Sequence, residues 1–170
     1  MYWGVDIKHK WRMDELEQIP ITIEGFNVLK KELERLKTID RPLNIKAIET
    51  ARAHGDLSEN AEFDAAKERQ SFIEGRIGEL GYKIASAKII DPDTVPKDCV
   101  RFASKVLLEN LDSEEEVEYM LVGQEESDIS KGKISVSSPL GMALLGKKPG
   151  DDVVLQAPGG KRSYEIIAIL

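Results

Sequence analysis

Apolar residues recur at steps of three and four in two stretches of the first half of this chain, with a single break between them. Phe26, Leu29, Leu33 and Leu36 form the first run, which resumes at Ile45, Ile48 and Ala51; Ile73, Ile77, Leu80, Ile84 and Ala87 form the second. Such spacing lines apolar side chains along one helical stripe, and a stripe this long needs a partner helix. Between the runs, Gly55 stops one helix, and Asp56, Ser58 and Asn60 are cap and turn residues that restart another near Ser58 or Glu59. Helices joined by so short a connection pack antiparallel, so the spacing predicts a helical hairpin with its tip in the stretch from Ala51 to Phe63. Thr22 is placed as the first N-cap. From there to Ala53 a continuous helix would reach roughly 48 Å. Asp40-Arg41-Pro42 interrupts the first stripe, as a kink or as a restart capped by Asp40. Gly75, Gly78 and Gly81 weaken helix propensity in the second stripe but leave its period intact.

After Asp91-Pro92-Asp93 the period changes. Strands are expected at 100–108, 116–122 and 133–137, with Asn110 to Ser113 as a turn. Ser138-Pro139 starts a short helix through Leu145. Residues 152–156 and 162–169 flank Pro158-Gly159-Gly160, a hairpin signal. The fold class is α+β: an antiparallel α-helical coiled-coil hairpin followed by a small antiparallel sheet with one short helix. The expected division is a poorly ordered leader over 1–18, an arm over 19–91 and a globular part over 92–170. The leader holds Trp3 and Trp11, either frayed or used for an extra contact.

Bulk properties exclude several classes. A net charge of −7 argues against binding bare nucleic acid as the main activity. Basic and acidic residues balance in the arm, and the acidic excess lies after Asp91. Glu114-Glu115-Glu116 and Glu125-Glu126 read as solvated turns. One cysteine, Cys99, excludes an internal disulfide framework and a cysteine-rich metal site. No apolar run approaches membrane-spanning length and no signal peptide is evident, so a cytoplasmic location without a membrane partner is expected.

The tip carries the chemistry. Asp56-Leu57-Ser58-Glu59 fits a capping box, with Asp56 as N-cap and Glu59 three residues on. Two carboxylates at the end of a long arm are equally the oxygen donors that a hard cation or an attacking water would use.

The stretch Ala51-Arg-Ala-His-Gly-Asp-Leu-Ser-Glu-Asn-Ala-Glu-Phe63 closely resembles the arm tip of the GreA/GreB family of bacterial transcript-cleavage factors. Phe72-Ile-Glu-Gly-Arg-Ile77, Asn110-Leu-Asp-Ser-Glu-Glu115, Ile134-Ser-Val-Ser-Ser-Pro139 and Ala157-Pro-Gly-Gly160 share the resemblance, which runs from about Ile19 to Leu170. It implies a coiled-coil arm on an FKBP-like globular domain. It also implies a factor that binds bacterial RNA polymerase, inserts its arm through the secondary channel and stimulates the polymerase to cleave the 3′ end of backtracked RNA. Asp56 and Glu59 match the family's catalytic pair, and Ser58 a tip position used in the same work. Arg52 and Lys67 match arm positions near the RNA 3′ segment. No cofactor would be held by the protein alone; Asp56 and Glu59 would share Mg²⁺ within the polymerase active centre. The globular part would be the main anchor, with Ser138, Pro139, Leu140 and Leu144 as candidate contacts, or with the leucines closing the core instead.

Three departures from the pattern stand out. Phe63 stands where the family commonly has Tyr, the leader has no counterpart, and the arm lacks the strongly basic face of the GreB type. Two other classes compete. A non-cleaving regulator of the same channel would depart from the paired-acid tip, whereas Asp56 and Glu59 are both present. A prolyl isomerase would need an aromatic-lined pocket, and only Phe102, Tyr119 and Tyr164 follow Lys97.

Overall fold

The computed structural model describes residues 18–53, 61–157 and 160–170. It opens with a short strand, β1 (Ile19–Thr22), which runs directly into α1 (Ile23–Arg35). Thr22 caps that helix, its hydroxyl accepting from the Gly25 N–H at 3.0 Å. Then follow a π-helical turn (Leu36–Asp40), α2 (Arg41–Ala53) and, after the tip, α3 (Ala61–Ala85). β2 (Ala87–Ile90) doubles back and pairs in parallel with β1, from Ile19 opposite Ala87 to Thr22 opposite Ile90.

The π turn settles how the helix passes Pro42. A proline ring would crowd the carbonyl four residues earlier and has no N–H to give it. One wider turn relieves both problems, and the Arg41 N–H reaches back to the Leu36 carbonyl. The extra residue also shifts the phase of the buried stripe. Leu29, Leu36, Asn44 and Ala51 are the inward residues, at steps of seven, eight and seven. Ile45, expected on the seam, is therefore turned out to solvent, and Asn44 is buried in its stead. Its Nδ2 donates to the Ala66 carbonyl of α3 at 3.1 Å. On α3 the stripe keeps a strict step of seven through Ala66, Ile73 and Leu80. Ile21, Leu29, Leu36, Ile73 and Leu80 form the arm's core, with Ile77, Ile84 and Ala87 packed against it.

The second part is a five-stranded sheet. Its strands are β3 (Lys105–Asn110), β4 (Glu115–Val122), β5 (Lys133–Ser135), β6 (Asp152–Ala157) and β7 (Gly160–Ile169), in the spatial order β5-β4-β3-β7-β6. Neighbours pair antiparallel except β4 and β5, which run parallel, so the sheet is mixed rather than purely antiparallel. Residues 100–104, expected to begin the first strand, instead form a turn that buries Val100, Ala103 and Ser104 and in which Ala103 adopts a positive φ of 65°. One helix, α4 (Pro139–Leu144), covers the sheet. Ser138 caps it, its hydroxyl accepting from the Gly141 N–H at 3.0 Å. Gly141 allows the helix to lie against β5, since a Cβ there would come within 3.0 Å of the Ser135 carbonyl carbon. Val106, Leu108, Leu121, Leu144, Val153, Tyr164 and Ile166 fill the core between helix and sheet. Among the described residues no helix is long and apolar enough to cross a membrane.

Candidate functional site: the arm tip and the arm base

Of the arm's far end, the described residues are α2 up to Ala53 and α3 from Ala61. Asp56, Ser58 and Glu59 lie between them, outside the described residues. The flanking candidates are placed. Arg52 is exposed on the last turn of α2. Lys67 is exposed on α3, where its ammonium donates to the Gln70 side-chain oxygen at 2.9 Å. Ala51 and Ala66 are both buried, so the helices stay in contact up to the stretch that carries the acids. Among the described residues there is no group of three or more His, Cys, Asp or Glu side chains that could hold a metal ion.

The α4 segment sorts its candidates. Ser138 is the helix cap, and its hydroxyl also donates to the Ser135 carbonyl at 2.6 Å. Pro139 is exposed, Leu140 is half-buried against the core and Leu144 has no exposed surface. Leu144 therefore closes the core. Besides Pro139, the large apolar residues offered to solvent here are Met142 on the helix and Leu145 just after it, at 59 % and 41 % exposure. Tyr164, one of the few aromatics of this part, is itself packed in the core.

The base of the arm holds a site that the sequence does not announce. Glu125 and Glu126, expected as a solvated turn, both reach across to the arm from the 3-10 turn Gln124–Glu126. The Glu126 carboxylate accepts from the Thr22 N–H at 3.1 Å and from the Thr22 hydroxyl. A carboxylate there also meets the positive end of the α1 dipole. Glu125 accepts from the Lys83 ammonium at 2.6 Å and pairs with Arg76 at 3.4 Å. Arg76 in turn holds Glu32 at 2.8 Å and Glu79 at 3.0 Å, tying α1 to α3. Lys133 pairs with Glu24 at 2.7 Å. Thr22 and Glu126 lie 104 residues apart, so no local pattern could have matched them.

These bonds move the titrations in a consistent direction. The hydrogen bond from Lys83 holds the Glu125 carboxyl below its ordinary value, and the same bond lifts the Lys83 ammonium above its own, with Glu79 adding to the effect. A depressed carboxyl contributes stability that is lost as pH falls through its folded value, and a raised ammonium one that is lost as pH rises through its own. The clasp is thus complete between about pH 5 and 10. Calorimetry should show a melting-temperature gap between the wild type and Glu125→Gln across that range, narrowing as pH falls below the ordinary glutamate value and through the lowered one of the folded protein. A gap that persists in strong acid would show that the pair contributes nothing through its charge.

Three kinds of likeness to known proteins accompany this geometry. Residues 19–89 match the family description "Transcription elongation factor, N-terminal", and residues 95–170 match "Transcription elongation factor, GreA/GreB, C-term". The transcription elongation factor GreA of Thermodesulfovibrio yellowstonii is 54 % identical over 153 residues, covering 90 % of this chain and 97 % of that protein. The protein of the same name from Neisseria meningitidis serogroup A is 52 % identical over 155 residues, covering 91 % and 98 %. Among solved structures, the GreA factor homolog 1 protein of Thermus thermophilus is 29 % identical. The match covers 90 % of this chain and 99 % of that one, with a TM-score of 0.42.

Proposed function

We propose a function from the premise that this chain belongs to the GreA/GreB family of transcription elongation factors. It binds bacterial RNA polymerase, passes its arm through the secondary channel and stimulates the polymerase to cleave the 3′ end of backtracked RNA. The protein is not itself the enzyme. The observation that supports this reading best is the sealed seam of the arm. Burial continues from Leu29 and Leu36 to Ala51 on one strand, and from Leu80 and Ile73 to Ala66 on the other. Two helices packed together as far as Ala51 and Ala66 suit an arm that carries two carboxylates into a narrow passage.

The donor set fits a shared metal site and no more. Mg²⁺ takes hard oxygen ligands in an octahedral array, and two carboxylates cannot complete one. Bound between polymerase and tip, such an ion would polarise the scissile phosphodiester and the attacking water. Asp56 and Glu59 would supply oxygens to that ion or accept a hydrogen bond from the water. Ser58 would hold the turn that presents them. Arg52 and Lys67, exposed a short way down the arm, would balance the phosphates of the RNA 3′ segment. The globular part would anchor on polymerase through Ser138, Pro139 and Leu140 together with exposed Met142, and Leu144 would support that helix from below.

The test is RNA cleavage in stalled elongation complexes. Adding the full chain should release a short 3′ fragment and restore elongation, and the protein alone should leave the same RNA uncut. Equal cleavage with and without the protein would reject the reading. Binding to the polymerase without cleavage would favour a non-cleaving regulator of the channel.

A further inference from the structure

We infer that Glu126, seated over Gly25, is a positioning residue that fixes the direction of the arm relative to the globular part. The inference rests on the cleavage-factor reading, since direction matters only if the tip must arrive at a defined place. The Thr22 hydroxyl accepts from Gly25 N–H and donates to the Glu126 carboxylate, so helix cap and clasp are one chain of hydrogen bonds. Thr22 is 3 % exposed, which protects those bonds from water.

Gly25 is the counterpart of that carboxylate. It lies in the first turn of α1, where alanine would be the better helix former. A Cβ at this position would overlap the Glu126 carboxyl group and lie 2.5 Å from its Cγ. The glycine therefore leaves the room in which the Glu126 carboxylate reaches Thr22, and an alanine there would push that side chain aside. Glu125 holds Lys83 and Arg76 on α3, and Glu126 holds the start of α1. One turn of the globular part thus grips both strands of the arm, and Lys133 adds a third point at Glu24. A rod held at one end moves most at the other, so a small rotation at Thr22 becomes a displacement of several ångströms at a tip roughly 45 Å away.

The experiment uses the full chain with Cys99→Ser and spin labels on Lys46→Cys in α2 and Lys161→Cys in β7, both exposed positions. The arm-to-body distance distribution is read by pulsed electron resonance, beside polymerase binding and cleavage stimulation. Gly25→Ala and Glu126→Ala should each broaden or shift the distribution and lower cleavage at least about tenfold, as misplacement of catalytic groups does. Polymerase binding should stay within about threefold of wild type, the surface of the body being untouched. Glu126→Gln, which can accept from the Thr22 N–H and donate to its hydroxyl, should behave as wild type. In the Glu126→Ala background, Gly25→Ala should add no further defect, because the overlapping side chain is gone.

A distribution as narrow and as placed as wild type in both single variants would overturn the inference, and so would a broadened one with full cleavage. If the unlabelled wild type fails to stimulate cleavage, the reading of function falls, and the distance measurement still decides whether Glu126 sets the arm.

Discussion

Asp56→Asn combined with Glu59→Gln will remove most of the cleavage stimulation and leave folding and polymerase binding intact. The substitution separates a cap from a ligand. Asparagine caps a helix as well as aspartate does, and glutamine serves at the third position of a capping box. If the two residues only start α3, the double variant is close to silent, since a whole cap is worth about 1 kcal/mol. If their charge holds a cation or orients water, isosteric neutral side chains lose the function while keeping the turn. The defect should ease at raised Mg²⁺, as expected for a weakened ligand set. Full activity in the double variant would leave the tip as a structural turn.

The second large effect is on stability. Leu144→Ala empties a place in a core where Leu108, Leu121 and Ile166 are likewise fully buried. Large-to-small changes at such sites cost about 2–5 kcal/mol. For a chain of this size that lowers the melting temperature by roughly 5 to 15 °C. Polymerase binding should then fall only in proportion to the unfolded fraction. Met142→Ser is the complementary change. At 59 % exposure it should hardly move the melting temperature, and it should weaken polymerase binding several-fold if this face docks. A Leu144→Ala protein that melts like wild type would contradict the core placement, and unaltered binding by Met142→Ser would move the contact elsewhere on the body.

Much of this architecture was legible because it is periodic. Ile73, Ile77, Leu80 and Ile84 repeat with one period over a whole helix, and burial follows that repeat. The strands and the Ser138-Pro139 helix start were marked by local chemistry that acts within four residues. What escaped depends on residues far apart or on small changes of phase. The widened turn before Pro42 exchanges Ile45 for Asn44, and the only sign of it is the proline itself. The parallel pairing of β4 with β5 and of β1 with β2 follows from chain return paths that no strand pattern encodes. Glu125 and Glu126 resemble any acidic turn until the arm is folded beside them. Of the candidate site, Arg52, Lys67 and the α4 segment are placed in the fold, and Asp56, Ser58 and Glu59 fall outside the described residues.

The pairing of β1 with β2 has a mechanical side. The two arm strands reach the body by different routes. α3 continues through Ser86 into β2 and on to the sheet, a covalent line. α1 is continuous with β1, which is held by a ladder of parallel hydrogen bonds to β2, by Ile19 N–H donating to the Ser86 carbonyl at 2.8 Å and by Glu126 at Thr22. A pull on the tip therefore loads that ladder along the strand direction, so that its bonds must yield together rather than one after another. The root of the arm is thereby built to resist peeling when its far end is pulled.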